Sequence, residues 1–474
     1  MPRTATRWPA LTISQTLAHV DATIEPSLER LFDLLRIPSI STQPAHAPDC
    51  RRAAEWLCRD LAGIGFTASV RDTPGHPIVV AHDLGAPSGP HVLFYGHYDV
   101  QPVDPLPLWQ SPPFEPVLRT EAATQRKMIV ARGASDDKGQ VMTFLEACRA
   151  LRATEGSLPC KVSVILEGEE ESGGANLLPF LEANAGELRC DLALICDTGL
   201  AADGIPAITT MLRGLVGEEV VITAADRDLH SGIYGNAARN PIQVLAAIIA
   251  GLRDERGRVT LPGFYDGVQD LPAAIRDAWK QIGLTDAAVL GAVGLSHPAG
   301  EQGYSALEQT WARPTCEVNG ISGGYQDAGF KTVLPAQASA KISFRLVAGQ
   351  DPEAVRASFR AYVQAHLPPD CAASFSAHGG SRASSVPFEG AALNAALAAL
   401  GEEWGRPAVT IGSGGSIPVV GELQQALGMN ALLVGFARDD DRIHSPNEKY
   451  DLESFQRGIR SWARILHALA ATPG

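Results

Sequence analysis

The chain has 474 residues, which is too long for one ordinary domain and makes two domains the natural expectation. Hydrophobic residues make up 45% of it and charged residues 19%, a balance that allows buried cores and excludes an intrinsically disordered protein. The formal net charge of −14 argues against nucleic acid and against an anionic membrane surface as partners.

The first 200 residues alternate between helical and strand patterns. The predicted helices cover residues 26–37, 51–61 and 140–151, and the predicted strands cover residues 78–81, 92–95, 162–166 and 192–196. Such alternation predicts an α/β sheet whose ligands lie at the carboxyl ends of its strands.

The pattern changes after residue 207. Strands are predicted at residues 215–224, 338–347 and 372–377, and helices are predicted to begin after Asn240 and after Asp351, each with proline at its first position. A stretch rich in Gly, Pro and Asp runs between them to about residue 303. These elements predict a separate small α+β domain, an antiparallel sheet with two helices.

After residue 388 the α/β pattern resumes. Helices are predicted at residues 391–404 and 452–469, and strands at residues 408–411 and 431–435. The small domain is therefore predicted to be inserted into the first one. The expected boundaries are 1–208 and 385–474 for the two parts of an α/β catalytic domain with a mixed sheet, and 209–384 for the insert.

The cysteine pattern and the apolar runs bear on where the protein works. Eight cysteines contain no C-x-x-C pair, which is typical of reduced buried thiols. The first 15 residues lack an apolar core of signal-peptide length, and no apolar run approaches the roughly 20 residues of a membrane span. We therefore expect a soluble cytoplasmic protein.

Metal-type side chains follow the apolar runs or lie in Gly-rich turns. In chain order they are His97 and Asp99, Asp136, Glu169–Glu171, Asp197 and His444. Two imidazoles and several carboxylates at strand ends are the ligands that a pair of divalent cations requires. The pattern predicts a two-metal hydrolase, provided that the fold brings these residues together.

Each motif also has a simpler interpretation when taken alone. His97 is compatible with a loop histidine without a ligand, Asp136 and Asp137 with helix capping, and the three glutamates with a solvated acidic loop. In the metal interpretation, Asp99 accepts the second N–H of His97, and one glutamate binds metal while its neighbour takes a proton from water. The order of all five sites along the chain favours the metal interpretation.

A competing motif lies in the predicted insert. Residues 320–324 read Gly-Ile-Ser-Gly-Gly and fit the G-x-S-x-G nucleophile elbow, with Ser322 as the nucleophile of a serine hydrolase. That elbow requires a helix after the serine. The residues that follow predict a loop and then a strand, so this remains a remote alternative.

Several segments resemble the di-metal peptidase family that includes carnosinase, cytosolic non-specific dipeptidase, succinyl-diaminopimelate desuccinylase, acetylornithine deacetylase and aminoacylase. They are YGHYDVQP, RGASDDKG, EGEEESGG, DLHSGIYG, KTVLPAQASAKISFRLV, GGSIPVV and HSPNEKY, and they span about residues 90–450. They look most like the dipeptidase branch. The resemblance implies a homodimer formed through the inserted lid domain.

The resemblance also implies roles for single residues. One metal is expected on His97, Asp197 and the bridging Asp136, and the other on Asp136, Glu171 and His444, with zinc more expected than manganese or cobalt. Glu170 is similar to the family's general base, and Asp99 to the carboxylate that orients the first histidine. The implied substrate contacts are His230, which stabilises the oxyanion in the partner subunit's site, Arg345, which holds the terminal carboxylate, and the smaller contacts Thr332 and Ser416.

One departure from the family concerns substrate choice. The dipeptidases carry an Arg-Glu pair before GGSIP, where this chain has Gly412-Ser413. We therefore predict a hydrolase of dipeptides or short peptides with a free carboxylate, and keep an N-acyl-amino-acid deacylase or desuccinylase as the alternative. A metal-binding scaffold without activity is a third hypothesis, which the intact Glu170 disfavours.

Overall fold

The computed structural model describes residues 10–291, 293–386, 389–415 and 417–472. The chain divides into two units. The larger unit consists of Met1–Thr210, Val386–Ile411 and Val419–Gly474, and the smaller unit of Met211–Ser385 and Gly412–Pro418. The predicted domain boundaries, and the lid role of the insert, stay predictions.

The α-helices of the described residues follow in chain order. They are α1 (Ala10–Ala22), α2 (Ile24–Leu35), α3 (Ala47–Ile64), α4 (Lys138–Glu155), α5 (Leu177–Ala183), α6 (Ala185–Leu188), α7 (Ser231–Tyr234), α8 (Pro241–Ala250), α9 (Ala273–Gln281), α10 (Asp286–Gly291), α11 (Ala306–Trp311), α12 (Pro352–Ala365), α13 (Ala391–Trp404), α14 (Pro418–Leu427) and α15 (Leu452–Ala470). Among the described residues, no helix combines the length and the apolar character that a bilayer crossing requires.

The β-strands alternate with these helices. They are β1 (Thr67–Arg71), β2 (Ile78–Asp83), β3 (His91–His97), β4 (Val117–Thr120), β5 (Lys127–Val130), β6 (Lys161–Glu167), β7 (Leu192–Ile195), β8 (Ala207–Leu212), β9 (Gly214–Thr223), β10 (Leu229–His230), β11 (Thr315–Gly323), β12 (Val333–Leu334), β13 (Gln337–Leu346), β14 (Ala372–Ser381), β15 (Ser384–Ser385), β16 (Val409–Ser413), β17 (Ala431–Val434) and β18 (Lys449–Asp451).

A mixed sheet forms the centre of the larger unit, in the order β1-β2-β6-β3-β7-β17-β8, with β16 also paired to β8. Strands β6, β3, β7 and β17 are parallel, whereas β1, β2 and β8 join antiparallel. The prediction of a mixed α/β sheet is confirmed. Because β3, β6 and β7 run parallel, their carboxyl ends meet at one edge, where ligand-type residues follow each of them.

The core explains why these elements pack firmly. Strands β3 and β6 are almost fully buried, and helix α4 is buried over most of its length. Phe94 of β3 stacks on Phe144 of α4 with 3.8 Å between ring centroids, and both rings meet Trp462 of α15 edge-on. Aromatic pairs in this geometry add stability beyond the area they bury. The eight cysteines are all free, as expected for reduced thiols.

A three-stranded antiparallel sheet, β18-β5-β4, connects two distant segments of the larger unit. Lys449 of β18 pairs with Val130 of β5. The turn that follows β5 and the loop that precedes β18 are therefore neighbours. Neither β4, β5 nor β18 was predicted, and their pairing brings His444 towards Asp136.

The smaller unit contains an antiparallel sheet in the order β11-β13-β9-β14, with α8 and α12 packed against it. Strand β9 alternates strictly between buried and half-buried residues, as expected for a sheet with one covered face. Both helices begin where they were predicted to begin, and each is capped, since the Asn240 side chain accepts from Ile242 N and the Asp351 side chain from Glu353 N. The predicted antiparallel sheet with helices is therefore confirmed.

The stretch rich in Gly, Pro and Asp up to about residue 303, in which no helix was predicted, contains helices α9 and α10, with α11 just after it. Helix α11 begins with a capping box, in which Ser305 accepts from Glu308 N and the Glu308 carboxylate accepts from Ser305 N. The spacing S-x-x-E was a readable signal. These short helices were not predicted because the stretch has a high content of glycine and proline.

Candidate metal centre

Five ligand-type side chains converge at the carboxyl edge of the larger unit's sheet. They form two groups that share Asp136, namely His97, Asp136 and Asp197, and Asp136, Glu171 and His444. Within each group the ligand atoms lie within 4.8 Å of one another. His97 ends β3, Glu171 follows β6 and Asp197 follows β7, so the parallel strands supply three of the five.

Asp136 lies between the two imidazoles. Its Oδ1 is 3.0 Å from His97 Nε2, and its Oδ2 is 3.0 Å from His444 Nε2. Burial raises the pKa of Asp136, but the contacts with His444 and His97 outweigh burial and lower it below its usual range. Asp136 is therefore an anion whose two oxygens each lie beside a different imidazole.

Asp99 organises two parts of the cluster. His97 Nδ1 lies 3.1 Å from the Asp99 carbonyl oxygen and 3.4 Å from its carboxylate, so the Nδ1 proton is bound there and Nε2 turns towards Asp136. The same carboxylate accepts from the backbone N–H of Glu170 at 3.3 Å and of Glu171 at 3.0 Å. This second contact, which fixes the acidic turn, was not foreseen from the sequence.

The three consecutive glutamates point in different directions. Glu169 accepts from His76 N and Asn176 Nδ2, away from the cluster. Glu171 Oε1 lies 3.2 Å from His444 Nε2, and its Oε2 accepts from Gln101 Nε2 at 2.7 Å. Glu169 therefore holds the surrounding loop, whereas Glu171 contacts a ligand-type histidine. Because both side chains are bound, the interpretation as a solvated acidic loop does not describe these two glutamates.

Glu170 is largely buried among other charged groups. Burial raises its pKa to about 7, His97 opposes the rise, and the nearby Glu171 carboxylate adds to it. A carboxylate poised near neutral pH is suited to accepting and returning a proton.

The donor set fits divalent cations. Burial raises the pKa of both Asp137 and Asp197 well above the usual value, so positive charge is needed to keep such a crowd of carboxylates ionised. Nitrogen and carboxylate oxygen donors converge from both sides of Asp136, and these are the ligands of zinc and similar metals. Asp137 Oδ2 accepts from His97 N at 3.1 Å and its Oδ1 accepts from Gln140 Nε2 at 3.2 Å, so its side chain links the end of β3 to the first turn of α4.

Two supporting residues were missed by the sequence interpretation. Glu448 is fully buried, pairs with Arg132 at 2.7 Å and accepts from the backbone N–H of Gly133, Ser135 and Asp136. It therefore holds the turn that carries Asp136. Its position in the segment HSPNEKY, four residues after His444, was the available signal. Gln101, in YGHYDVQP, is the other.

The expected substrate residues lie in the smaller unit. His230 ends β10 and is exposed, and its Nδ1 accepts from Gly232 N at 2.9 Å, which leaves the ring proton on Nε2. Thr332 is exposed and its carbonyl accepts from Ser231 N at 3.0 Å. Arg345 is half-buried in β13. Ser416 lies outside the described residues.

Ser322, the serine of the G-x-S-x-G motif, lies in strand β11 opposite Ser339 of β13. Gln326 Nε2 approaches its hydroxyl at 3.4 Å. Turns and the short strand β12 follow, where a nucleophile elbow requires a helix. The local geometry required of a serine nucleophile is not formed here.

Comparison with known proteins adds an independent finding. Residues 93–468 match the family model Peptidase family M20/M25/M40. A Cys-Gly metallodipeptidase of Schizosaccharomyces pombe is 29% identical over 468 residues, covering 95% of this chain and 97% of that protein. Human Beta-Ala-His dipeptidase is 29% identical over 408 residues, covering 83% of this chain and 78% of that protein.

Solved structures agree. Human carnosine dipeptidase 1 superposes with a TM-score of 0.81 at 26% identity, covering 98% of this chain and 99% of that chain. The family metallo-carboxypeptidase Sso-CP2 from Sulfolobus solfataricus gives a TM-score of 0.80 at 31% identity, with 94% and 99% covered. The chain belongs to peptidase family M20/M25/M40, and it is a metallopeptidase with the mixed α/β fold of that family.

Proposed function

We propose that this enzyme hydrolyses the amide bond of dipeptides or short peptides with a free carboxylate, in a metal-dependent reaction. The observation that carries the proposal is Asp136, whose two oxygens each lie 3.0 Å from the Nε2 atom of a different histidine. The names of the relatives, a Cys-Gly metallodipeptidase and a Beta-Ala-His dipeptidase, support the substrate class.

The metal ligands follow from the two groups of side chains. His97, Asp136 and Asp197 would hold one cation, and Asp136, Glu171 and His444 the other. Two such cations, when bound, lower the pKa of water and polarise the scissile carbonyl. Zinc is the proposed metal, because imidazole and carboxylate donors in this number suit it, and manganese and cobalt suit the same donors.

Glu170 is proposed as the general base. Its pKa of about 7 allows it to take the proton of the attacking water and then to give it to the leaving amine. Asp99 is proposed as the orienting group, because it binds both His97 Nδ1 and the backbone of Glu170. One carboxylate thereby sets the distance between a metal ligand and the base.

The smaller unit is proposed to supply substrate contacts. His230 presents a protonated Nε2 at an exposed position, which suits hydrogen bonding to a developing oxyanion. Arg345 offers a planar guanidinium for a terminal carboxylate, and Thr332 and Ser416 are proposed as smaller contacts. A carboxylate requirement restricts the enzyme to short substrates or chain ends.

A homodimer formed through the smaller unit is also proposed. Several large apolar side chains of this unit are exposed, including Phe330 at 91%, Ile233 at 70% and Ile321 at 60%. Tyr234 and Tyr325 are exposed as well. Apolar residues in such number are expected to be covered in an assembly. The proposed cellular location is the cytoplasm, which the reduced cysteines support.

The deacylase alternative draws less support, because the relatives reported above are dipeptidases or peptidases by name. A panel of dipeptides against N-acetyl and N-succinyl amino acids separates the two activities. Cleavage confined to the acylated compounds would replace the dipeptidase proposal.

The decisive experiment combines metal analysis with turnover. Purified enzyme should contain about two divalent ions per chain, lose dipeptide hydrolysis on chelation and regain it on adding zinc. Anomalous scattering should show two peaks roughly 3.5 Å apart at Asp136. Undiminished hydrolysis by fully metal-free enzyme would refute the mechanism.

A further inference from the structure

His444 is the one exposed residue among the five ligand-type side chains, with 53% of its side chain accessible. Within the described part of the chain, its ring is contacted through Nε2 alone, by Asp136 at 3.0 Å and by Glu171 at 3.2 Å. His97 differs, because its Nδ1 is bound at Asp99. A ligating imidazole is normally oriented by a hydrogen bond of its second nitrogen. The orientation of the His444 ring therefore depends on the loop that carries it.

The loop that carries His444 has an unusual backbone. Arg442, His444 and Asn447 have φ angles of 56°, 62° and 64°, in the left-handed region that residues other than glycine enter at a cost. Such residues persist where the surrounding structure fixes their conformation. A loop with three of them within six positions therefore requires firm contacts outside itself.

Asn447 supplies such contacts, because its side chain joins the loop to another segment of the larger unit. Its Nδ2 donates to Leu108 O at 2.8 Å, and its Oδ1 accepts from Gln110 N at 2.8 Å. One partner is a carbonyl and the other an N–H, so the orientation of the amide is unambiguous. Both ends of this amide are used to hold the loop three residues after His444.

The segment that Asn447 contacts, residues 101–110, is itself fixed to the buried part of the larger unit. Arg132 Nη2 donates to Pro102 O at 2.9 Å, and the guanidinium lies 5.5 Å from the centre of the Trp109 ring. Arg132 is buried and pairs with Glu448 at 2.7 Å. Residues 101–110 are thereby anchored to the carboxylate that holds the turn of the bridging aspartate.

The same segment also contacts Glu171. Gln101 Nε2 donates to Glu171 Oε2 at 2.7 Å, and the other carboxylate oxygen lies beside His444 Nε2. The two side chains proposed to bind the second cation alone, Glu171 and His444, thus both depend on residues 101–110. Those proposed to bind the first cation alone lie instead at the ends of the buried strands β3 and β7.

We propose that Asn447 is a positioning residue for the second cation, the one assigned to Asp136, Glu171 and His444. It holds the left-handed loop against residues 101–110 and so presents His444 Nε2 to Asp136. The inference rests on the proposed function, in which these side chains bind a metal. Asn447 acts through His444 and takes no part in bond cleavage. Its loss should weaken the binding of one ion of the pair and spare the other.

Two substitutions separate the hydrogen bonds of Asn447 from its backbone conformation. Asn447→Gly accepts a φ of 64° without strain but removes both bonds. Asn447→Asp also tolerates this φ, but it replaces the donor to Leu108 O by an oxygen. Each variant should bind the second ion about 10-fold to 100-fold more weakly and keep the first.

Dialysis against graded zinc buffers, followed by elemental analysis, measures these affinities, and anomalous scattering identifies the site that is lost. Turnover should return when zinc is raised, which a damaged fold would not allow. Native affinity for both ions in both variants would overturn the proposal. Equal loss of both ions would contradict a role specific to the second cation.

Two further variants frame this result. Asn236→Gly is the matched control, because Asn236 is an exposed asparagine with a φ of 68° in the smaller unit, and its metal content should be native. Gln101→Met removes the donor to Glu171, so it should weaken the same ion as the Asn447 variants. Loss of the other ion in Gln101→Met would contradict the dependence of the second cation on residues 101–110.

A crystallographic comparison distinguishes this inference from the proposed function, since it requires neither turnover nor added metal. His444 Nε2 should lie within hydrogen-bond distance of Asp136 Oδ2 in the native chain and beyond about 3.5 Å in Asn447→Gly, with His97 unmoved. An unmoved His444 ring in the variant would reject the role of Asn447 even in an active dipeptidase. Native enzyme that binds no divalent ion would instead contradict the proposed function, and the displacement of His444 would still decide the role of Asn447.

Discussion

The metal-type cluster of the larger unit and the substrate-type residues of the smaller unit differ in how firmly the protein holds them. His97 is fully buried, and three contacts fix its backbone and both ring nitrogens. His230 is exposed, and its Nδ1 accepts from Gly232 N within its own turn. The first set is organised by a parallel sheet before any ligand binds, whereas the proposed oxyanion contact His230 is held by its own turn.

The largest expected effect is at the centre of the cluster. Asp136→Asn replaces the shared anion by a neutral amide, so we expect metal content to fall below one ion per chain and kcat to drop by at least about 10³-fold. Elemental analysis measures the metal content, and dipeptide turnover measures kcat. Full metal content with normal turnover would show that Asp136 is not the bridging ligand.

A smaller effect on metal content is expected from substituting Glu170, the proposed general base. Glu170→Gln keeps the shape of the side chain but cannot accept a proton, so kcat should fall by about 10²–10⁴-fold while metal content is unchanged. The matched control is Glu169→Gln, since Glu169 binds His76 N and Asn176 and faces away from the cluster. Similar losses in both variants would deny Glu170 its special role.

His230, the exposed histidine of the smaller unit, is compared with the buried residues of the cluster. His230→Asn removes the Nε2 proton donor, and kcat should fall by about 10²-fold with metal content and melting temperature unchanged. His378→Asn, an exposed histidine of the same unit with only a 3.8 Å contact to Glu219, should have no effect. An unaltered kcat for His230→Asn would remove this residue from the proposed mechanism.

The smallest effect concerns stability and lies away from the cluster. Burial raises the pKa of Glu422 in α14 to about 7, and its Oε2 has no hydrogen-bond partner within the described part of the chain. The folded pKa exceeds the unfolded one, so this group's contribution to stability is present at low pH and is lost as pH rises through about 7.

Glu422→Gln removes that titration. The melting temperature of the variant relative to the native chain should therefore rise by roughly 2–4 °C from about pH 5 to about pH 8.5. Calorimetry across this range measures the difference, in which all other titrating groups cancel. A difference that does not depend on pH would show that Glu422 is ionised in the folded protein.

The contrast between the two units also shows where sequence patterns are informative. Helix α13 (Ala391–Trp404) was predicted at its observed bounds, and strict alternation predicted β9 to within one residue at each end. Short patterns failed for the strands β4 and β5 and for helix α10, and helices α1 and α9 were also missed. Short elements bury little apolar surface of their own, so their sequences carry little periodic signal.

The residue types and order of the ligand-type side chains were readable because each follows a strand or a Gly-rich turn. Their supporting contacts were not. Glu448 carries no periodic signal, and its role comes from the pairing of β18 with β5, over 300 residues apart in sequence. The second contact of Asp99, to the Glu170 backbone, likewise depends on the neighbouring positions of β3 and β6.

By itself the sequence determined the elements with strong periodicity, the class of the fold and the chemical types that a two-metal site requires. Only the tertiary structure decided that Asp99 contacts the backbone of Glu170 and Glu171 as well as His97, and that Glu448 holds the turn that carries Asp136. The physical reason is that apolar spacing is a local property of the chain. Side-chain direction in a turn depends on strand order and on neighbours that are distant in sequence.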